Sequence, residues 1–124
     1  MPLTKGLRDE ENERINNILK RLIGMDYVPE NSNSDLDDLL SGLALNTETL
    51  LGFSGEAIIA HLEKLNFDYT NAEQFADFLV LLSGKMPEHK PALSEKALAV
   101  YHYIQSESKT FSFDIYNKIA AAKR

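Results

Sequence analysis

The fold is decided by residues 71–105, which read NAEQFADFLVLLSGKMPEHKPALSEKALAVYHYIQ. The first half of this stretch has the apolar spacing of an amphipathic helix, at Phe75, Phe78, Leu79 and Leu82. The second half has a similar stripe, formed by Leu93, Ala97, Val100, Tyr101 and Ile104. Because the polar connection between the halves is short, we predict two antiparallel helices.

The segments on either side of this pair also have helical patterns. We predict a flexible lead-in at residues 1–8, an amphipathic helix at residues 9–24, and two helices within residues 34–66, with a further turn near residues 47–52. Residues 71–121 hold the central pair and a C-terminal helix. Strand-like alternation of polar and apolar residues is not sustained anywhere. The sequence therefore predicts a single all-α domain over residues 1–124, a compact bundle of five to six helices around the central pair.

Capping residues and apolar spacing add detail to the predictions for three of these helices. Ser54 is predicted to cap the helix that follows it, and Thr70 with Glu73 forms a predicted capping box ahead of the first central helix. The C-terminal helix is predicted to turn four residues inward, namely Ile115, Tyr116, Ile119 and Ala120.

The composition narrows the class of protein. A chain of 124 residues suits one domain, and the lack of cysteine excludes disulfides and thiolate metal sites. The net charge is −6 and the basic residues are scattered, which argues against nucleic-acid binding because that depends on clustered Lys and Arg. No apolar run approaches the ~18 residues that a membrane helix needs. We expect a cytoplasmic protein that binds neither nucleic acid nor membrane.

The central pair resembles a degenerate tetratricopeptide hairpin (TPR-like), a repeat in which small residues stand where two helices cross. Leu82 and Gly84 correspond to the Leu-Gly step of the repeat's first helix, and Ala97 and Tyr101 to the Ala and aromatic residue of its second. The Trp and Tyr of the repeat's first helix have no counterparts here. The resemblance implies that Gly84 and Ala97 let the two backbones approach closely where the helices cross. It also implies a hairpin that holds peptides or helices. Because one repeat cannot bury its faces alone, flanking helices or a second subunit must cover it.

The layout of the whole chain is similar to that of a group of small bacterial helical proteins of unassigned function. The shared features are an amphipathic opening helix, the turn LLGFS at residues 50–54, a TPR-like end, and the closing segment FSFDIYNKI at residues 111–119. This resemblance implies the all-helical fold. It implies no activity, because none is attached to that group.

The sequence contains no visible catalytic constellation. The three histidines, His61, His89 and His102, lack the i, i+4 spacing of a helical metal site. Ser54 lies in Gly-Phe-Ser-Gly rather than in Gly-x-Ser-x-Gly, and no strand is predicted before it. We therefore predict no catalytic, cofactor-binding or metal-binding residues, and no cofactor.

Two sets of residues are candidates for a binding surface. The first is the apolar stripe of the N-terminal helix at Ile15, Ile18 and Leu22, together with the neighbouring Met25. The specific hypothesis for this surface is that the helix docks on a second copy of the chain and forms a homodimer. The second set could line a groove for a peptide and consists of His61, Tyr101, Phe111 and Tyr116. Core packing of the aromatic residues is the alternative explanation of the second set.

The sequence favours a non-enzymatic helical module for protein–protein interaction or self-association. Its partner would be another protein or a second copy of the chain. Two alternatives stay open. One is an enzyme or small-ligand binder with a pocket between helices. The other is an acidic regulator or inhibitor of a basic partner, which rests on the net charge of −6.

Overall fold

The computed structural model describes residues 7–24, 33–65, 67–108 and 113–122, which form seven α-helices and one 3-10 turn. The helices are α1 (Leu7–Gly24), α2 (Asn33–Ser41), α3 (Thr47–Gly52), α4 (Gly55–Lys64), α5 (Tyr69–Lys85), α6 (Lys90–Ser108) and α7 (Phe113–Ala122). The turn Pro87–His89 joins α5 to α6. These residues contain no strand, so the all-α prediction is confirmed. None of the described helices is long and apolar enough to cross a membrane.

The segments outside the central pair largely follow the predicted order. The predicted turn near residues 47–52 is the separate helix α3. The N-terminal helix α1 begins at Leu7 rather than at residue 9. Of the predicted lead-in, residues 1–6 lie outside the described residues.

The pair α5 and α6 is the centre of the bundle, as the sequence predicts. These two helices make the most extensive contact between described elements, while α1 packs on α5 and α4 packs on α6. They are antiparallel, because Tyr69 at the start of α5 lies against Tyr103 towards the end of α6, whereas Asp77 pairs with Tyr101. The fully enclosed side chains of the pair are Phe75, Ala76, Leu79, Leu93, Ala97 and Val100.

The helix α7 extends the pair into a group of three helices. Lys118 of α7 bonds Asp77 of α5, and Ala121, almost one turn later, borders the same cavity as Leu81. Residue numbers thus rise together along the two helices, so α7 runs parallel to α5. This arrangement brings side chains of α5, α6 and α7 together at one surface.

Two side chains of α7 that were predicted to face inward face outward instead. Tyr116 is 57 % exposed and Ala120 is exposed as well, whereas Ile115 and Ile119 are buried. Each outward residue follows a buried isoleucine by one position, and one position turns a helical side chain by about 100°. The stripe that α7 buries is therefore narrower than the apolar pattern suggests.

The helix α4 begins at its predicted cap and lies close to α6. Ser54 Oγ accepts a hydrogen bond from the Ala57 N–H at 3.1 Å, so the predicted cap is confirmed. A Cβ atom built on the next residue, Gly55, would lie 2.7 Å from the Cβ of Ala99 on α6. Any larger residue at this position would force the two backbones apart, so glycine is needed for the approach.

The predicted close crossing at Gly84 is wrong. Ala97 is fully buried, as expected, but Gly84 is exposed, and a Cβ atom built on it meets no atom within 4 Å. Gly84 lies in the last turn of α5, on the outward side, where a side chain would have room. The close glycine contact of α6 is made by Gly55 of α4 instead.

The predicted capping box of α5 is also wrong. The helix begins at Tyr69, and Asp68 Oδ1 accepts a hydrogen bond from the Asn71 N–H at 2.7 Å. The earlier start places Thr70 inside the first turn, where it cannot act as the cap. The Glu73 carboxylate is thereby left to face α7, where it meets a lysine.

Candidate functional site

A network of polar side chains joins α5, α6 and α7. Lys118 Nζ of α7 donates hydrogen bonds to Glu73 Oε2 and, at 3.0 Å, to Asp77 Oδ2. Tyr101 OH of α6 donates to the second oxygen of Asp77, Oδ1, at 2.6 Å. The Lys118 side chain is 34 % exposed and both carboxylate side chains are 31 % exposed. The network therefore lies at the surface, where water and ligands can reach it.

The spacing of the two carboxylates explains why the network needs a cation. Glu73 and Asp77 are four residues apart on α5, so they share one face of the helix. Like charges at this spacing destabilise a helix on its own. Lys118 lies between them and offsets the repulsion, which attaches α7 to α5.

Burial and the neighbouring charges shift the ionisation of two members. Burial raises the pKa of Tyr101 far above its ordinary value of 10.0, and the hydrogen bond to Asp77 and the carboxylate charges raise it further. Burial alone would lower the pKa of Lys118, but the hydrogen bonds to Glu73 and Asp77 outweigh it. The pKa of Lys118 is therefore raised above its ordinary 10.5. At neutral pH the network holds a neutral phenol and a charged ammonium.

A cavity of about 270 Å³ adjoins the network between α5 and α7. Its lining residues are Asp77, Val80, Leu81, Tyr101, Lys118 and Ala121. Leu81 is 44 % exposed, although α5 packs on both α1 and α6. An apolar wall with a few polar groups on one side is the usual form of a small-ligand site.

The outer face of α7 carries exposed apolar residues. Phe113 is 74 % exposed and Tyr116 is 57 % exposed, and Ala120, one turn further, is exposed too. Residues three and four positions apart lie on one side of a helix, so Phe113, Tyr116 and Ala120 form a strip along α7. We call these three residues the α7 strip.

The residues predicted to line a groove do not lie together. Tyr101 reaches the network between α5 and α7, and Tyr116 lies on the α7 strip, while Phe111 lies outside the described residues. On α4, His61 Nε2 lies 2.7 Å from the Leu43 carbonyl oxygen. Because a carbonyl oxygen only accepts hydrogen bonds, Nε2 is the donor.

The ring of His61 also lies edge-on to Phe53, with 5.7 Å between the ring centroids. These contacts attach α4 to the segment around α2 and α3, so His61 has a structural role there. Its neighbours differ from those of Tyr101 and Tyr116, and the three described residues form no common surface.

The stripe of α1 that was predicted as an interaction surface packs within the chain. Ile15 and Leu22 are 0 % and 3 % exposed. Ile18 is half-buried, and its Cδ1 atom lies against Gly42; Met25 lies outside the described residues. Because α1 packs on α5 and α2, a homodimer through this stripe would first require α1 to leave its own core.

The described residues show no arrangement for metal binding. No group of three or more His, Asp or Glu side chains among them is placed to hold an ion. His102 is exposed on α6, and His89 is half-buried in the 3-10 turn. Polar side chains from three helices do come together in the network of Glu73, Asp77 and Lys118 with Tyr101.

No protein-family model matches this chain, and no curated protein or solved structure matches it either. The protein is therefore characterised by its own fold and surface. It is an all-α bundle with a three-helix ion-pair network, an adjoining apolar cavity and an exposed apolar strip on α7.

Proposed function

We propose that this chain is a non-enzymatic helical module that binds a protein partner or a second copy of itself. The α7 strip carries the proposal, since Phe113 and Tyr116 are 74 % and 57 % exposed. Exposed apolar residues that cluster on a surface mark interaction sites. Aromatic residues that become buried there supply much of the binding energy of protein interfaces.

The resemblance of the central pair to a TPR hairpin supports the same proposal. In an array of stacked helical hairpins, the first helix of each repeat runs parallel to the first helix of the repeat before it. The helix α7 follows the α5–α6 pair and runs parallel to α5. A helix from a partner would then cover the α7 strip as the next helix of an array does.

Sedimentation equilibrium tests the self-association form of this proposal. We expect the apparent mass of the wild type to rise with concentration and the mass of Tyr116→Glu to stay that of a monomer. Tyr69→Glu is the matched control, because Tyr69 is also exposed, at 43 %, but lies at the start of α5. Circular dichroism confirms that each variant is folded. A wild type that stays monomeric excludes the homodimer.

Site-specific photo-crosslinking tests the form with a different partner. A crosslinking amino acid is placed at position 116 or at position 69 of the protein in its native cells. Crosslinks to one defined protein from position 116 alone support the proposal. Equal crosslinking from both positions, or none from position 116 together with a monomeric wild type, contradicts it.

A further inference from the structure

The network beside the α5–α7 cavity holds one more negative charge than positive. Glu73 and Asp77 are carboxylates, and Lys118 is the cation between them. A carboxylate can accept about four hydrogen bonds, yet Asp77 accepts one on each oxygen and Glu73 accepts its bond from Lys118 on Oε2 alone. Both carboxylates thus retain acceptor capacity, but only Asp77 lines the cavity, together with Lys118, and Glu73 contributes its charge from one helical turn away.

The size of the cavity and its apolar wall indicate which apolar group a ligand would carry. Its volume of about 270 Å³ is several times the ~30 Å³ that one water occupies in the liquid, so it suits a phenyl ring or a short alkyl chain. Val80, Leu81 and Ala121 form the apolar wall. Because Leu81 is 44 % exposed, a ligand that covers it removes apolar surface from water.

We propose that this cavity binds an apolar group that carries a positive charge, such as an arylalkyl- or alkylammonium. The apolar group lies against Val80, Leu81 and Ala121. The ammonium donates a hydrogen bond to a free acceptor position of Asp77, which lines the cavity, and is attracted by the additional charge of Glu73. The site does not include the α7 strip, so it goes beyond the interaction function proposed above.

The charge of the network discriminates between head groups. Lys118 also lines the cavity, but its ammonium already bonds both carboxylates, so an anionic head group would approach a network with an excess negative charge. A neutral hydroxyl could donate one hydrogen bond but would gain nothing from the excess negative charge. The cationic form of the same apolar group is therefore the preferred ligand.

Three probes of similar shape test this preference: phenethylammonium, 2-phenylethanol and phenylacetate. Binding is followed by NMR through the methyl groups of Val80, Leu81 and Ala121. We expect phenethylammonium to bind about fivefold more tightly than 2-phenylethanol, the size expected of a partly exposed charge contact, and phenylacetate to bind most weakly. Phenylacetate that binds as tightly as the ammonium, or probes that leave these methyl groups unshifted, would overturn the proposal.

Two substitutions locate the site. Ala121→Leu fills the cavity and should abolish binding of all three probes, whereas Ala60→Leu, at an exposed alanine of α4, should leave it unchanged. Glu73→Gln should remove most of the preference for the ammonium over the alcohol while the alcohol still binds. Circular dichroism and thermal unfolding establish that each variant is folded. A preference that Glu73→Gln leaves intact contradicts the role of the carboxylates.

The ligand chemistry could come from a free amine or from a basic, apolar segment of a protein. An acetylated and amidated peptide with adjacent Phe and Lys, compared with its Phe-Glu version, separates these sources. A Phe-Lys peptide that binds more tightly than phenethylammonium identifies a protein segment, and binding of the amine alone identifies a small molecule. If neither binds, the proposal is wrong. Tyr116→Glu should leave binding of the amine unchanged, so this proposal and the interaction function can fail separately.

Discussion

Tyr101 of α6 donates a hydrogen bond of 2.6 Å to the Asp77 carboxylate of α5. Only 1 % of Tyr101 is exposed, so its ring belongs to the core of the central pair while its hydroxyl meets the surface network. Asp77 also accepts a hydrogen bond from Lys118 of α7. One tyrosine thus connects core packing to the contact that fixes α7.

Replacing Tyr101 by Phe should lower the free energy of unfolding. The ring still fills the core, but Asp77 loses a hydrogen bond, and bonds to charged groups contribute about 1.5–3 kcal/mol. Urea unfolding measures the change. The control is Tyr69→Phe at an exposed tyrosine, where we expect a change within about 0.5 kcal/mol. Equal effects of the two substitutions would show that the Asp77 bond adds no stability.

Alkaline pH should destabilise the protein through the same network. The pKa values of Tyr101 and Lys118 are both raised in the folded state, so unfolding releases protons once the pH exceeds their ordinary values of 10.0 and 10.5. Their contribution is complete below pH 10.0 and is lost progressively above it. Urea unfolding across this range should show a decline that is shallower in Tyr101→Phe. In a tyrosine absorbance titration, the phenol that ionises at the highest pH in the wild type should be missing in Tyr101→Phe.

Two glycines should respond to alanine in opposite directions. Gly55→Ala places a Cβ atom 2.7 Å from Ala99, and such overpacking typically costs about 1–3 kcal/mol. Gly84→Ala meets no atom within 4 Å and should stabilise the last turn of α5 by about 0.5 kcal/mol, because alanine favours the helix. Thermal unfolding of both variants measures the difference. If Gly84→Ala lowered the stability, the result would support a close helix crossing at Gly84, as the sequence predicts.

The packing of α1 within its own chain can be tested at Leu22. This side chain is 3 % exposed in the core, so Leu22→Ala should lower the free energy of unfolding by about 2–5 kcal/mol. The effect should not depend on protein concentration. A concentration-dependent loss of stability, with a fall in sedimentation mass, would mean that α1 packs on a second copy instead.

The sequence anticipates the core better than it anticipates the surface network. Apolar periodicity locates the central pair, and the Ser54 cap is recognisable because both depend on neighbours within a few residues. The network had one local signal, the two carboxylates Glu73 and Asp77 at a repulsive spacing on one helix face. That signal indicates that a cation should lie nearby. It does not indicate which residue supplies the cation, because Lys118 is 41 residues from Asp77 in the chain.

The sequence by itself determined that the chain folds into helices around α5 and α6, because helix formation and an apolar stripe are local properties. Only the tertiary structure decided which face each helix presents. It turned Tyr116 outward, placed the close glycine contact at Gly55 rather than Gly84, and set Lys118 between two carboxylates. These outcomes depend on how helices rotate and pack against distant segments, and a local periodicity does not specify that rotation.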